Sequence, residues 1–182
     1  MVNIFTNSTK FVETFTEENM LISDEYRELN RQLHEKNTKY GAGIKWVETI
    51  NTLSDGTILD YGCGKGNLAK LLPDLPISEY DPAIEGKDSL PEPADLVVCN
   101  DVLEHVEPEY LDNVIKHLIS LTKKQLLLVI ACRPGDKYLP DGRLAHLTVE
   151  DEDWWMKKLS QYGDFKKIPP KNKRELAVIF TK

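Results

Sequence analysis

Three glycines at alternate positions, Gly62, Gly64 and Gly66, constrain this chain more than any other feature in it. A short apolar run ending in an acid, Thr57-Ile58-Leu59-Asp60-Tyr61, precedes them. After them Leu68-Ala69-Lys70-Leu71-Leu72 opens a helical pattern. A strand, a tight turn and a helix start, in that order, let a ligand lie against the main chain, because glycine has no Cβ to hold it away. The spacing is G-x-G-x-G, and Asn67 stands where a dinucleotide fingerprint wants its third glycine. A second apolar run, Ile77 to Tyr80, ends in Asp81, close to the roughly 20-residue separation of a ribose-binding acid.

The 182 residues suit a single domain with one substantial core. A formal charge of −7 argues against charge-driven binding to nucleic acid or to an anionic membrane. No apolar run approaches the roughly 20 residues needed to cross a bilayer. Met1 to Phe5 carries no basic segment followed by an apolar one, and the three cysteines form no C-x-x-C pair. Both features point to a reducing, cytoplasmic setting rather than a secreted one.

Along the chain, charged residues with helix-spaced Leu21, Ile22, Tyr26, Leu29 and Leu33 predict a helix over Thr16 to Asn37. A second helix follows Gly41-Ala42-Gly43, so residues 1–55 read as a helical cap and 56–182 as the core. Apolar runs at Ala94 to Cys99 and Gln125 to Cys132 read as buried strands. Between them Pro108 opens a helix with a stripe of Leu111, Val114, Ile115, Leu118 and Ile119. A loop over Arg133 to Leu144, a helix near Glu150 to Gln161 and two closing strands complete the pattern. Only about a dozen residues separate Asp81 from the strand at Ala94, too few for a helix and a further strand. The expected fold is therefore α/β: a Rossmann-like sandwich, mostly parallel, with a C-terminal antiparallel hairpin and a shortened third-strand region.

In these residues the chain resembles the class I S-adenosylmethionine (SAM) dependent methyltransferases. The resemblance rests on Asp60-Tyr61-Gly62-Cys63-Gly64-Lys65-Gly66 and on Asp81, and it runs from about Thr57 to the C-terminus. The segment Asp101-Val102-Leu103-Glu104-His105-Val106 is similar to the D-V-L-E-H-V run of the ubiquinone-biosynthesis type of small-molecule methyltransferase. The compressed Asp81-Pro82-Ala83-Ile84 segment and the Gly142-Arg143-Leu144-Ala145-His146-Leu147 run look like methyltransferase-like proteins of tailed phages. What the resemblance implies is SAM as cofactor, bound by Asp60, Gly62, Gly64, Gly66, Asp81, Pro82, Asp88, Asn100, Asp101 and Val102. Asp60 would order contacts to the methionine ammonium, and Asp81 would accept hydrogen bonds from the ribose diol. In the family a helical appendage packs over the cofactor, which makes Tyr26, His34 and Tyr40 candidate pocket residues.

Methyl transfer needs alignment more than covalent help, with a base where the acceptor is a hydroxyl or an ammonium. His105 and His146 are the candidate bases, and Arg133 and Arg143 the candidate partners of an anionic acceptor. One of the adjacent Trp154 and Trp155 belongs in the core, and the other is free to wall a pocket. Two classes of function compete: transfer of a methyl group to a small-molecule oxygen or nitrogen, and SAM binding without transfer, as in a pseudo-enzyme partner subunit or a protein that consumes SAM otherwise. A nicotinamide dehydrogenase is a third. No Asn-Pro-Pro-Tyr-like run follows Cys99, which speaks against a methyltransferase of DNA bases. The expected state is a monomer or a homodimer.

Overall fold

The structure, a computed structural model, describes residues 19–36 and 44–182. Its centre is a six-stranded sheet in the order β2-β1-β3-β4-β6-β5. The strands are β1 (Ile58–Tyr61), β2 (Ile77–Tyr80), β3 (Ala94–Asn100), β4 (Thr122–Ala131), β5 (Phe165–Lys167) and β6 (Glu175–Thr181). β2, β1, β3 and β4 run parallel, and β6 and β5 close the sheet as an antiparallel pair. The helices are α1 (Asp24–Lys36), α2 (Val47–Leu53), α3 (Asn67–Leu71), α4 (Leu111–Leu121) and α5 (Glu152–Leu159).

The parallel strands are buried on both faces, and this is why they read as unbroken apolar runs. Leu59, Val97, Leu126 and Leu128 point to one face, where the α4 stripe of Leu111, Ile115 and Leu118 and the α5 residues Trp155 and Leu159 cover them. Ile58, Leu96, Val98 and Leu127 point to the other, against Trp46 and Ile50 of the second helical segment and Leu68 of α3. Each side chain buried this fully contributes about 1.5–3 kcal/mol. Trp155 is the core tryptophan, and Trp154, on the next 100° of the helix, faces solvent.

No strand or helix lies between β2 and β3 in the chain; in the sheet β1 sits between them, and β2, with no further strand beside it, is the edge. In place of the third strand, residues 81–87 fold into a turn closed by three backbone hydrogen bonds: Ile84 N–H to Asp81 O, Lys87 N–H to Ile84 O and Asp81 N–H to Lys87 O. The first helix starts later than the periodicity predicts. Residues 20–23 are not helical, because the Ser23 hydroxyl takes the Tyr26 N–H at 3.1 Å and caps α1 there. β4 also begins earlier than predicted, at Thr122, where the chain leaves α4 directly into the sheet. The exposed Lys123 and Lys124 mask that start in the sequence.

The glycine turn has a packing reason as well as a conformational one. Gly62 has a φ of 74°, and a Cβ there would lie 2.4 Å from Val102 Cγ2. Gly62→Ala should therefore cost roughly 2 kcal/mol in strain and overpacking. Urea unfolding followed by circular dichroism would read it, and an unchanged midpoint would show that the β1 turn tolerates a side chain.

Candidate functional site

A cleft opens where β1, β2 and β3 end, the edge at which open parallel sheets hold ligands. Gly62 and Tyr61 form its floor, Asp81, Pro82 and Ala83 one wall, and Asp101, Val102 and His105 the other. Its roof is α1 with the segment before it, through Leu21, Ile22, Tyr26, Asn30 and His34. Long-range polar contacts hold that roof down. Glu107 accepts both the backbone N–H and the hydroxyl of Ser23, at 2.8 and 2.6 Å. The Tyr26 hydroxyl donates to the His105 carbonyl at 2.5 Å.

At the glycine turn nearly every backbone donor is already engaged. Gly62 and Cys63 both donate to the Tyr80 carbonyl, at 2.7 and 3.0 Å, and Gly66 N–H donates to the Cys63 carbonyl at 3.0 Å. Gly64 N–H donates to Asp81 Oδ2 at 3.0 Å, and Asp81 Oδ1 accepts from Ala83 N–H at 3.0 Å. A pyrophosphate needs free N–H groups at such a turn, and these four are taken. The nicotinamide-dinucleotide alternative loses its main support here. Asp81 is buried at 6 % exposure, yet each of its oxygens keeps a second lone-pair site.

Asp60 lies under the turn and does not line the cleft. Burial, reinforced by the neighbouring charge of Glu79, pushes its carboxyl up to about 7, although Lys87 opposes the shift. Glu79 and Lys87 form an ion pair at 2.9 Å beside Gly66, where an added Cβ would strike the Glu79 carboxylate. Gly66 thus serves the packing of this pair and the start of α3. Asp101 has a φ of 54°, unusual for a residue with a side chain, and burial raises its carboxyl to about 6.

Of the cofactor candidates, Gly62, Asp81, Pro82, Asp101 and Val102 line the cleft, whereas Asp60, Gly64, Gly66, Asp88 and Asn100 lie outside its lining. Asp88 is exposed just past the shortened turn, and from this segment Pro82 and Ala83 line the cleft instead. Asn100 is partly buried, and its Oδ1 has no hydrogen-bond partner. Arg143 does not reach the cleft: its guanidinium pairs with Asp141 at 2.6 Å and with Glu25 at 3.7 Å on the surface. Arg133 is half-buried outside the lining, and its carbonyl accepts from His146. Tyr26 and His34 line the cleft, while Tyr40 falls outside the described residues.

His105 lines the cleft as well, but burial and the neighbouring His146 lower its pKa to about 4. An imidazole so weakly basic is poorly matched to proton abstraction near neutrality. His146 is also shifted downward by burial and packs edge-on against His105, with ring centroids 4.6 Å apart. Sequence reasoning missed two acids here. Glu107 anchors the roof, and Glu104, fully buried, has its pKa pushed well above the usual range by desolvation and by Asp101. Both sit in the Asp101 to Glu107 segment, where an acid among apolar neighbours was the available signal.

The sequence matches the methyltransferase domain family over residues 29–182. No curated protein matches the chain. Among solved structures the fold is similar to the 1,6-didemethyltoxoflavin-N1-methyltransferase of Burkholderia thailandensis, with S-adenosylhomocysteine and its substrate bound, at a TM-score of 0.61. That match has 15% identity and covers 90% of this chain and 91% of that one. A TehB-like SAM-dependent methyltransferase of Corynebacterium glutamicum gives 0.54, at 12% identity over 87% and 96% of the two chains. The magnesium protoporphyrin IX methyltransferase of Synechocystis PCC 6803, with S-adenosylhomocysteine bound, gives 0.51, at 18% identity over 85% and 84%. At these identities the likeness establishes the fold.

The raised Asp60 carboxyl makes stability depend on pH with a definite sign. The folded chain holds this proton up to about pH 7, whereas the unfolded chain releases it near pH 4. Folding therefore binds the proton in that window, and stability falls as pH rises through it. Asp60→Asn should gain stability relative to the wild type between pH 4.5 and pH 8 (test values chosen to bracket roughly that window). Equal differences in urea midpoint at both ends would contradict the buried, proton-holding carboxyl.

Proposed function

We propose that this chain, which belongs to the methyltransferase domain family, moves a methyl group from S-adenosylmethionine to an oxygen or nitrogen of a small-molecule acceptor. The observation that carries this reading is the cleft at the ends of β1, β2 and β3, lined by a donor-depleted glycine turn, the buried Asp81 and the half-buried Asp101.

The residues present fit that nucleoside. A cation is suited by Asp81 and Asp101 and would be poorly served by a cradle of free N–H groups. Gly62 against Val102 leaves the floor of the cleft without a Cβ. Asp81, held in place by Gly64 and Ala83, turns its remaining lone pairs to the ribose diol. Pro82 and Ala83 offer an apolar edge for adenine, and Asp101 a carboxylate for the methionine end. S-adenosylmethionine supplies a methyl carbon on a sulfonium sulfur, and the sulfur keeps the carbon–sulfur electron pair when an acceptor lone pair displaces it. The chain's part is alignment. Leu21, Ile22 and Tyr26 of the roof confine an acceptor on the apolar side and keep water out. The D-V-L-E-H-V segment supports the small-molecule class by its resemblance to the ubiquinone-biosynthesis type. The acidic balance of the chain is consistent with an acceptor other than nucleic acid.

Isothermal calorimetry of the full chain with SAM, S-adenosylhomocysteine and NAD tests the assignment. Heat is expected with the first two and none with NAD. Asp81→Asn should weaken S-adenosylhomocysteine binding by roughly tenfold or more, since hydrogen bonds to a charged acceptor are worth about 1.5–3 kcal/mol each. Turnover of SAM with a panel of hydroxyl and amine acceptors reads the transfer itself. Binding of NAD alone, or an Asp81→Asn affinity equal to the wild type's, would overturn the assignment.

A further inference from the structure

We propose that Glu104, His105 and His146 form a binding site for one divalent transition-metal ion on the acceptor side of the cleft. One donor atom from each of the three side chains lies within 4.8 Å of the other two. They come from separate parts of the chain: Glu104 and His105 from the short 3₁₀ turn after β3, and His146 from the loop after β4.

Both histidines are held in one tautomer. His105 Nδ1 lies 2.7 Å from the Ala145 carbonyl oxygen, and His146 Nδ1 lies 2.8 Å from that of Arg133. A carbonyl oxygen only accepts, so each ring carries its proton on Nδ1 and keeps the Nε2 lone pair available. Histidines that ligate metals have this arrangement, with the far nitrogen fixed by a backbone carbonyl or a carboxylate. Gly135 backs the second ring closely, since a Cβ there would come within 2.7 Å of His146 Cδ2. The loop backbone therefore supports the ring from behind.

Glu104 supplies the independent observation. It is 0 % exposed, and its Oε1 accepts from Ala131 N–H at 3.1 Å. Its Oε2 is buried and has no hydrogen-bond partner. Buried polar atoms are rarely left so, and an ion beside the two imidazoles would satisfy this one. Two imidazoles and one carboxylate form a donor set taken up by zinc, manganese or ferrous iron, with coordination positions left open. His105 lines the cleft, which puts the proposed site at the cleft wall. This narrows the acceptor, on the methyltransferase reading above, to a molecule whose reacting hydroxyl, or an oxygen next to it, ligates the ion. Metal coordination lowers the pKa of such a hydroxyl and orients it.

The test titrates the chelator-stripped full chain with Co²⁺ alone, by visible absorption and calorimetry, and measures S-adenosylhomocysteine binding on the same samples. One Co²⁺ per chain is expected, with d–d bands of a nitrogen and oxygen site and no thiolate charge-transfer band. His146→Ala and Glu104→Gln should each weaken Co²⁺ by at least about tenfold and leave S-adenosylhomocysteine binding in place. His146 is half-buried, so its removal tests the site even if Glu104→Gln fails to fold. Absence of Co²⁺ binding, or binding unchanged in His146→Ala, would overturn the metal site. If S-adenosylhomocysteine still bound, the methyltransferase assignment would stand; Co²⁺ binding without it would separate the two the other way.

Discussion

The rest of the site depends on where the Asp81 carboxylate goes. One oxygen accepts from Gly64 in the turn after β1, and the other from Ala83 in the turn after β2. This single side chain therefore ties two strand ends together and fixes the turn between them. It also stands on the cleft wall. Hydrogen bonds to an ionised acceptor are among the stronger ones a protein makes, and these are sheltered from water. With Gly64 held by Asp81, and Gly62 and Cys63 by the Tyr80 carbonyl, the turn has little left to offer an anion. It has a carboxylate to offer a cation or a diol.

The missing third strand bears on the same place. β2 becomes an edge of four residues, short enough to discourage pairing with another chain. The chain then turns back through residues 81–87, and Lys87 returns beneath the glycine turn to pair with Glu79. The wall of the cleft is thus a compact turn where a longer chain would place a helix and a strand. The roof depends on contacts between residues far apart, with Ser23 on Glu107 and Tyr26 on the carbonyl of His105. Those contacts couple α1 to the segment that carries Asp101, Glu104 and His105.

Much of this was legible in the sequence where the cause is local. The glycine spacing, the acids at Asp60 and Asp81, the unbroken apolar strands and the short gap before Ala94 each follow from a few neighbouring residues. The α1 boundary is hidden in the sequence because its cap, Ser23, lies inside an otherwise helical periodicity. Arg143 looked like an anion site until folding set it against Asp141, two residues away. The proton held by Asp60 and the burial of Glu104 arise from helices and strands stacked around them, which no window of sequence contains. The meeting of His105 with His146 depends on a loop returning across the end of the sheet, a tertiary fact again.

The central claim is that a nucleoside with a diol and a charged amino-acid end lies between Gly62 and Asp101, beneath α1. A crystal structure of the chain soaked with S-adenosylhomocysteine tests it most directly. The account predicts density along the glycine turn, with both ribose hydroxyls in hydrogen-bond contact with Asp81 and the adenine beside Pro82 and Ala83. Density elsewhere on the molecule, or a ribose turned to solvent with Asp81 untouched, would contradict it.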